Sequence, residues 1–259
     1  MLKQIKDGYI KAERHNGVMT IEFHHPQSNS LPGSLLEAIT HEVHGAGNDH
    51  DTKVIILQSA GERAFCAGAS FDELLAIETA EQGLQFFSGF AHLINEMRKC
   101  PKFIIVRVQG KCVGGGVGIA AAADYAIAME GADVKLSELA IGIGPFVVGP
   151  AVERKIGLSA YSSLAIDATM WRDAEWARRR GLYSELHGNA TGMDESIVRL
   201  ANHLAHSNPE AMALIKQNLW KGTEHWDQLL LERAALSGRL ILSPFSHQAL
   251  HSFKIKKRP

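Results

Sequence analysis

Two stretches of small residues, 62–70 and 110–118, could bring backbone N–H groups close to a bound molecule. Each stretch follows an apolar run typical of a buried strand and precedes residues typical of a helix. The first contains Ala67, and the second contains three consecutive glycines from Gly114 to Gly116. Small residues let a ligand approach the backbone, and an N–H in the first turn of a helix has no intrahelical acceptor. Two such groups converging from separate segments could stabilise an oxyanion.

The apolar neighbours of Glu138, in the segment VKLSELAIGIG, make this residue a candidate acid or base. Burial among apolar groups raises the pKa of a carboxyl group, which suits a residue that exchanges protons near neutral pH. The local sequence alone slightly favours a helix-capping or salt-bridged Glu138. The loop around Ala67 is equally compatible with an ordinary strand-to-helix connection. The catalytic interpretation therefore depends on the acid and the two loops together.

Three other chemical interpretations fit the sequence less well. Residues 116–121 match the GxGxxA pattern of dinucleotide-binding loops, but the glycines begin late after the strand and the following helix is too short. The HEVH segment that begins at His41 lacks the second histidine of the zincin motif, because Gly45 stands in its place. Cys66 has no predicted histidine neighbour that would activate a thiol nucleophile. A packing role is therefore favoured for this cysteine.

Strands and helices alternate in the part of the chain that would position these groups. An Asn16-Gly17 turn between alternating apolar residues predicts a hairpin, and a helix is predicted after Pro32. The other predicted elements are strands at residues 54–57 and 103–106 and helices at residues 84–97 and 208–221. The C-terminal quarter is predicted to be helical.

The composition predicts an ordinary soluble globular protein. The 259 residues are 46% hydrophobic and 21% charged, with a formal charge of −1. This balance gives no global field that would recruit nucleic acid or an acidic membrane surface. No apolar stretch approaches the roughly 18 residues of a membrane helix, and the three cysteines form neither a disulfide framework nor a CxxC pair. We therefore expect a cytoplasmic protein without nucleic-acid or membrane partners.

The segments AFCAGASFDEL, GKCVGGGVGIAAAADYAIA and KLSELAIGIGP, in this order and spacing, resemble the crotonase superfamily, the enoyl-CoA hydratase/isomerase family. The likeness extends through RDAEWARRRGLYSEL and covers most of the chain. It implies an α/β fold of the ClpP/crotonase type, with a spiral of ββα units over residues 1–200. It also implies a C-terminal helical region over residues 201–259 that builds a homotrimer, or a hexamer of two trimers.

The resemblance further implies an acyl-CoA thioester as substrate, with coenzyme A bound only as part of it and no metal. The N–H groups of Ala67 and Gly115 would form the oxyanion hole for the thioester carbonyl, and Glu138 would be the acid/base. The other implied substrate contacts are Ala64, Cys66, Ala69, Gly114, Gly142, Phe253 and Lys257. The adenine would lie along the loop from Ala64 to Ala67. Lys257 would meet the nucleotide phosphates, from the same or an adjacent subunit.

Two positions depart from the pattern of this family. Gly118 stands where typical hydratases carry a second catalytic Glu, and Ser70 stands where Asp is frequent. Adding water to a double bond is easier with two carboxylates, whereas moving a double bond needs one base. Hydration of a 2-enoyl-CoA and Δ3–Δ2 isomerisation both remain open, since a side chain from elsewhere could replace the missing acid. A non-catalytic acyl-CoA-binding or assembly subunit is the alternative.

Overall fold

The computed structural model describes residues 2–5 and 7–256, which form two sheets surrounded by helices. The strands in this range are β1 (Leu2–Ile5), β2 (Gly8–His15), β3 (Val18–His24), β4 (Val54–Ser59), β5 (Ala64–Cys66), β6 (Phe103–Val108), β7 (Lys111–Val113), β8 (Tyr125–Met129), β9 (Val134–Lys135) and β10 (Glu185–His187). The helices are α1 (Gly33–Asn48), α2 (Phe71–Ala76), α3 (Ala80–Lys99), α4 (Gly115–Ala122), α5 (Gly149–Ile166), α6 (Ala174–Arg179), α7 (Ala190–Ala205), α8 (Pro209–Leu219), α9 (Trp226–Leu240) and α10 (Pro244–Lys256), with a short 3-10 helix at Leu139–Ile141.

The larger sheet has the strand order β1-β2-β3-β4-β6-β8-β10 within the described range. Its first three strands are antiparallel, and the remaining neighbours are parallel. β2 and β3 meet at the predicted turn, where Asn16 and Gly17 have φ values of 48° and 79°. Two consecutive positive φ values match a type I′ hairpin turn, so the predicted hairpin is confirmed.

The smaller sheet consists of the parallel strands β5, β7 and β9. Cys66 pairs with Cys112 in its register. Because parallel strands end at the same edge of a sheet, the segments that follow these three strands lie side by side. Those segments contain Ala69, Gly115 and Glu138, so the small sheet gathers the predicted chemical groups.

Local signals explain where several helices begin. α1 starts directly after Pro32, as predicted, and the side chain of Asn208 caps the N-terminus of α8. Thr79 and Gln82 form a capping box at the start of α3, which begins before the predicted residue 84. The predicted buried strands are confirmed as β4 and β6. The sequence does not predict β10, because three residues carry too little periodicity.

Helix α9 packs directly on α3. A Cβ added to Gly83 would lie 2.6 Å from the Cα of Gly238, so the two helices touch without room for a side chain. The main apolar core includes Phe90 of α3 and Leu230 of α9. Helix α9 therefore belongs to the same apolar core as the sheets.

The predicted boundary between residues 200 and 201 lies inside α7. The division into a spiral core and a C-terminal region stays a prediction, as do the trimer or hexamer and the cytoplasmic location. None of the helices in residues 2–5 and 7–256 is long and apolar enough to cross a membrane.

Candidate active site

A pocket with an empty volume of about 570 Å³ lies at the carboxyl edge of the small sheet. One side of it is formed by segments that contain Ala69, Gly115 and Glu138. The apolar residues of its walls are Phe71, Leu74, Phe87, Phe90, Val113, Ile141, Ile143, Pro145, Phe146, Val147 and Val148. A concave site with apolar walls and a few convergent polar groups is typical of small-molecule binding.

Gly115 is the first residue of α4, and its N–H has no acceptor in the described part of the protein. Gly114, which also lines the pocket, has φ 51° and ψ −112°, a conformation that glycine adopts readily and other residues rarely adopt. A Cβ added to Gly115 would collide with the ring of Phe90, so this ring covers the glycine closely. The first N–H of α4 is thus available to an anionic oxygen.

The predicted partner donor, Ala67, is engaged within the protein. Its N–H donates to the carbonyl oxygen of Ser28 at 3.1 Å, which leaves no proton for a substrate oxygen. This bond contradicts the predicted role of Ala67 in the oxyanion hole, although the residue does line the pocket. Ser28 lies in the loop before α1, so nothing in the sequence around Ala67 indicates the bond.

Ala69, two residues further along, has a free N–H. The N–H of Leu31 donates to the Gly68 carbonyl at 2.8 Å, and the N–H of Ser70 donates to the Leu31 carbonyl at 3.2 Å. In this parallel bridge the N–H of Ala69 points away from Leu31, and it has no acceptor among the described residues. A Cβ added to Gly68 would lie 3.9 Å from the nitrogen of Gly115. The two free N–H groups therefore belong to neighbouring segments of one pocket.

The carboxyl group of Glu138 lies beside the second loop. A Cβ added to Gly114 would be 2.9 Å from Oε1 of Glu138. The Oε2 atom is buried and has no hydrogen-bond partner in the described part of the chain. Burial raises the pKa of Glu138 to about 7, as its apolar neighbours predict. This group can therefore both accept and return a proton near neutral pH.

Gly118 is buried in α4, and the space next to it is filled. A Cβ added to Gly118 would lie 2.8 Å from the Cβ of Val148, with the side chain of Ile94 also in contact. Val148 lines the pocket. A second carboxyl group at position 118 would require Val148 to move, so this pocket is built around one acid.

Ala64 and Cys66 belong to β5 and are not among the described residues that line the pocket. The Ala64 carbonyl accepts hydrogen bonds from the side chains of Asn29 at 2.9 Å and Gln109 at 3.2 Å. Burial raises the pKa of the Cys66 thiol to about 12, and its sulfur accepts the Gly68 N–H at 3.3 Å. A thiol of this kind is not a nucleophile at neutral pH, in agreement with the predicted packing role.

The C-terminal helix α10 lies beside the pocket, but none of its described residues lines it. Gly142 is covered by Phe245 and Ser246 of α10 and does not line the pocket in the described structure. The ring of Phe253 lies 6.0 Å from the ring of Phe71, which does line it. The predicted contact at Lys257 lies outside the described residues.

The histidines and cysteines that the sequence offered as metal ligands or nucleophiles form no such site among the described residues. His41 and His44 of the HEVH segment are exposed. No group of three or more His, Cys, Asp or Glu side chains among the described residues could hold a metal ion. All three cysteines are buried and free.

The pocket walls are the part of the site that the sequence does not predict. Phe90 and Ser237 come from α3 and α9, and Val148 precedes α5. In the sequence each of these three residues resembles an ordinary core residue. Its separation from Glu138 along the chain gives no sign that the two lie close together in the fold. The exception is the run from Ile143 to Pro145, where Gly144 and Pro145 could have indicated a further loop at the pocket.

A family model described as enoyl-CoA hydratase/isomerase matches residues 13–259. The mitochondrial methylglutaconyl-CoA hydratase of Mus musculus is 28% identical over 217 residues, which cover 82% of this chain and 68% of that protein. The peroxisomal Delta(3,5)-Delta(2,4)-dienoyl-CoA isomerase of Arabidopsis thaliana is 25% identical over 225 residues, which cover 81% of this chain and 79% of that protein. Relatives named for both kinds of reaction are thus similar to this chain.

Solved structures show the same fold. The crystal structure of enoyl-CoA hydratase from Bacillus halodurans matches with a TM-score of 0.87 at 22% identity, covering 94% of this chain and 99% of that chain. The predicted α/β crotonase-like fold is thereby confirmed. Because the family model spans nearly the whole chain, this protein belongs to the enoyl-CoA hydratase/isomerase family.

Proposed function

We propose that this protein is an acyl-CoA isomerase that moves a double bond from C3–C4 to C2–C3 of an enoyl thioester. Coenzyme A is bound as part of the substrate, without a separate cofactor. The N–H groups of Ala69 and Gly115 donate to the thioester oxygen, and Glu138 transfers the proton. The observation that carries this proposal is the single buried carboxyl group in a pocket where Val148 fills the space for a second.

In the proposed reaction the Glu138 carboxylate takes a proton from C2 of the 3-enoyl thioester. The electrons of the broken C–H bond form a C1–C2 double bond, and the thioester oxygen becomes negatively charged. Ala69 and Gly115 stabilise that charge, and each such donor typically contributes about 10²- to 10³-fold to the rate. The protonated Glu138 then delivers its proton to C4. The C2–C3 double bond forms, the thioester carbonyl is restored and the carboxylate is regenerated.

Hydration is less well supported by the same pocket. It requires a water molecule to be oriented and deprotonated while another proton is delivered to carbon, and this division of work favours two carboxylates. The described walls offer one carboxyl group, Glu138, and otherwise apolar side chains with two serines, Ser137 and Ser237. A serine hydroxyl can orient water but is a poor base at neutral pH.

A non-catalytic role is disfavoured by the state of Glu138. A buried carboxylate oxygen without a hydrogen-bond partner, such as Oε2 of Glu138, costs stability, because its lost hydration is not replaced. A subunit that only binds acyl-CoA would gain nothing from this cost. An enzyme gains a base whose pKa lies at about 7.

The test follows the absorbance of the conjugated enoyl thioester with 3-hexenoyl-CoA and, separately, with crotonyl-CoA. We expect the wild type to generate absorbance from 3-hexenoyl-CoA. Glu138→Gln should lower kcat by about 10²- to 10⁴-fold, because the amide cannot carry the proton. Glu81→Gln, an exposed position on α3, is the matched control and should leave kcat unchanged.

Full activity of Glu138→Gln would refute the role of this residue. Faster loss of absorbance from crotonyl-CoA than gain from 3-hexenoyl-CoA would replace isomerisation by hydration. Tight acyl-CoA binding without turnover of either compound would identify a non-catalytic subunit.

A further inference from the structure

Ser237 is a polar residue in an otherwise apolar part of the pocket. It lies on α9 and lines the pocket, yet only 1% of the residue is exposed. Its side-chain hydroxyl has no hydrogen-bond partner among the described residues, in contrast with the buried hydroxyl of Ser246, which donates to the Leu240 carbonyl at 2.9 Å. A buried hydroxyl group without a partner is unfavourable, so its presence at a binding surface calls for a ligand atom.

Three other helical serines of this protein satisfy their hydroxyl groups locally. The hydroxyl groups of Ser162, Ser163 and Ser252 each donate to the carbonyl four residues earlier, at 2.7, 3.0 and 2.9 Å. This is the usual solution for a serine within a helix. Ser237 does not make the corresponding bond, so its hydroxyl stays available to the pocket.

The backbone next to Ser237 is held firmly. Gly238 contacts Gly83 of α3 so closely that a Cβ on either residue would meet the backbone of the other helix at less than 3 Å. Helices in such contact cannot slide together further or turn without a clash. The hydroxyl is therefore presented from a fixed position, and fixed donors discriminate between ligands better than mobile ones.

The second serine of the pocket does not raise the same question. Ser137 is only half-buried, so solvent can satisfy its hydroxyl when a ligand is absent. Ser237 has almost no access to bulk solvent, and the aromatic walls around it include Phe87 and Phe90 of the facing helix. A purely hydrocarbon ligand that filled this space would leave the Ser237 hydroxyl unpaired.

We infer that the acyl group of the substrate carries an oxygen substituent, a hydroxyl or a carbonyl, which forms a hydrogen bond with Ser237. This inference rests on the proposed acyl-CoA function and adds the substrate class to it. A serine hydroxyl both donates and accepts, so either kind of oxygen is suitable. The pocket has no cationic side chain among its described residues, which makes a carboxylate substituent a poor fit.

The experiment compares plain and oxygenated acyl chains in turnover and in binding. Turnover uses 3-hexenoyl-CoA and its 5-hydroxy, 6-hydroxy and 5-oxo derivatives. Binding uses the saturated compounds hexanoyl-CoA, 5-hydroxyhexanoyl-CoA, 6-hydroxyhexanoyl-CoA and 5-oxohexanoyl-CoA, which cannot isomerise. We expect the wild type to prefer at least one oxygenated chain about tenfold in both measurements.

Ser237→Ala should abolish this preference by weakening the oxygenated chain while the plain chain binds as well or better. Ser88→Ala is the matched control, because Ser88 is a buried serine of α3 that does not line the pocket in the described structure. This variant should keep the wild-type preference.

A wild type that prefers the plain chain, or a Ser237→Ala variant that keeps the preference, would overturn the inference. Either result is compatible with isomerase activity. Conversely, the wild type could bind oxygenated chains more tightly in a way that depends on Ser237 and yet turn over no 3-enoyl compound. This result would support the inference about the substrate and refute the proposed isomerisation.

Discussion

Glu138 and Val148 lie in two walls of one pocket, and the two walls differ in how they accommodate an acid. Glu138 is a carboxyl group whose Oε2 atom is buried without a partner, and its pKa is raised to about 7. At Gly118 there is no side chain at all, and Val148 packs into the space. One wall thus keeps an acid at a cost in stability, while the other excludes it by packing.

This difference indicates how the proton moves. With two acids, one group can hold water while the other serves the carbon atom. With one acid, the proton removed must be the proton returned, unless solvent intervenes. The apolar wall around Val148 opposes such an exchange, because it keeps water away from the carbon atoms of the substrate.

The largest effect expected from a change in the backbone concerns the oxyanion site between the two walls. Incorporation of lactic acid in place of Ala69 replaces the amide of residue 69 by an ester. This change exchanges one backbone N–H for an oxygen and leaves all side chains as they are. We expect kcat to fall about 10²- to 10³-fold, as for loss of an oxyanion donor. The measurement is the isomerisation of 3-hexenoyl-CoA.

The same replacement at Ala67 is the control. It removes the hydrogen bond to the Ser28 carbonyl, so it should lower the free energy of unfolding by about 1 kcal/mol and leave kcat nearly unchanged. If the ester at 67 lowered kcat more than the ester at 69, the assignment of the donors would have to be reversed.

The next effect is the stability cost of the isolated acid. The pKa of Glu138 is about 7 in the folded protein against an ordinary 4.5, so folding favours the protonated form. The contribution of the protonated Glu138 to the free energy of unfolding is fully present below pH about 4.5 and is lost as the pH rises through about 7. Glu138→Gln should therefore gain about 2–3 kcal/mol of unfolding free energy relative to wild type between pH 5 and pH 8.5.

Urea unfolding of both proteins at the two pH values measures this gain. Glu81→Gln, at an exposed position, should show no such difference. An equal pH dependence of wild type and Glu138→Gln would mean that the carboxyl group is hydrated in solution, and the contrast between the two walls would disappear.

The smallest effect is a gain of function at the apolar wall. Gly118→Glu alone should destabilise the protein by about 1–3 kcal/mol, because the new side chain meets Val148. Combining it with Val148→Gly supplies the space, and we expect hydration of crotonyl-CoA to rise about tenfold over wild type. Val148→Gly without the new acid is the control, and an equal rise there would assign the effect to water entry instead.

Much of the fold follows from the sequence, because its signals are local. The Asn16-Gly17 turn, the proline before α1 and the apolar runs of β4 and β6 each act within a few residues. The family resemblance supplied the arrangement of these elements, which the signals do not determine.

The site is predictable to a smaller extent. The raised pKa of Glu138 follows from its apolar neighbours, and the free N–H of Gly115 follows from its place at the start of a helix. The choice between Ala67 and Ala69 does not, since it depends on carbonyl groups of Ser28 and the neighbouring Leu31 that approach only after folding. Likewise, nothing near Ser237 distinguishes it from a serine bonded within its own helix.

The burial of all three cysteines makes the native protein convenient for thiol labelling. A cysteine introduced in place of the exposed Ser252 would be the only thiol that a maleimide dye could reach, so no native cysteine needs to be replaced. Ser252 adjoins Phe253, whose ring contacts Phe71 at the pocket wall. A fluorophore at this position would lie next to a contact between α10 and the pocket lining, where entry of an acyl-CoA could be followed optically.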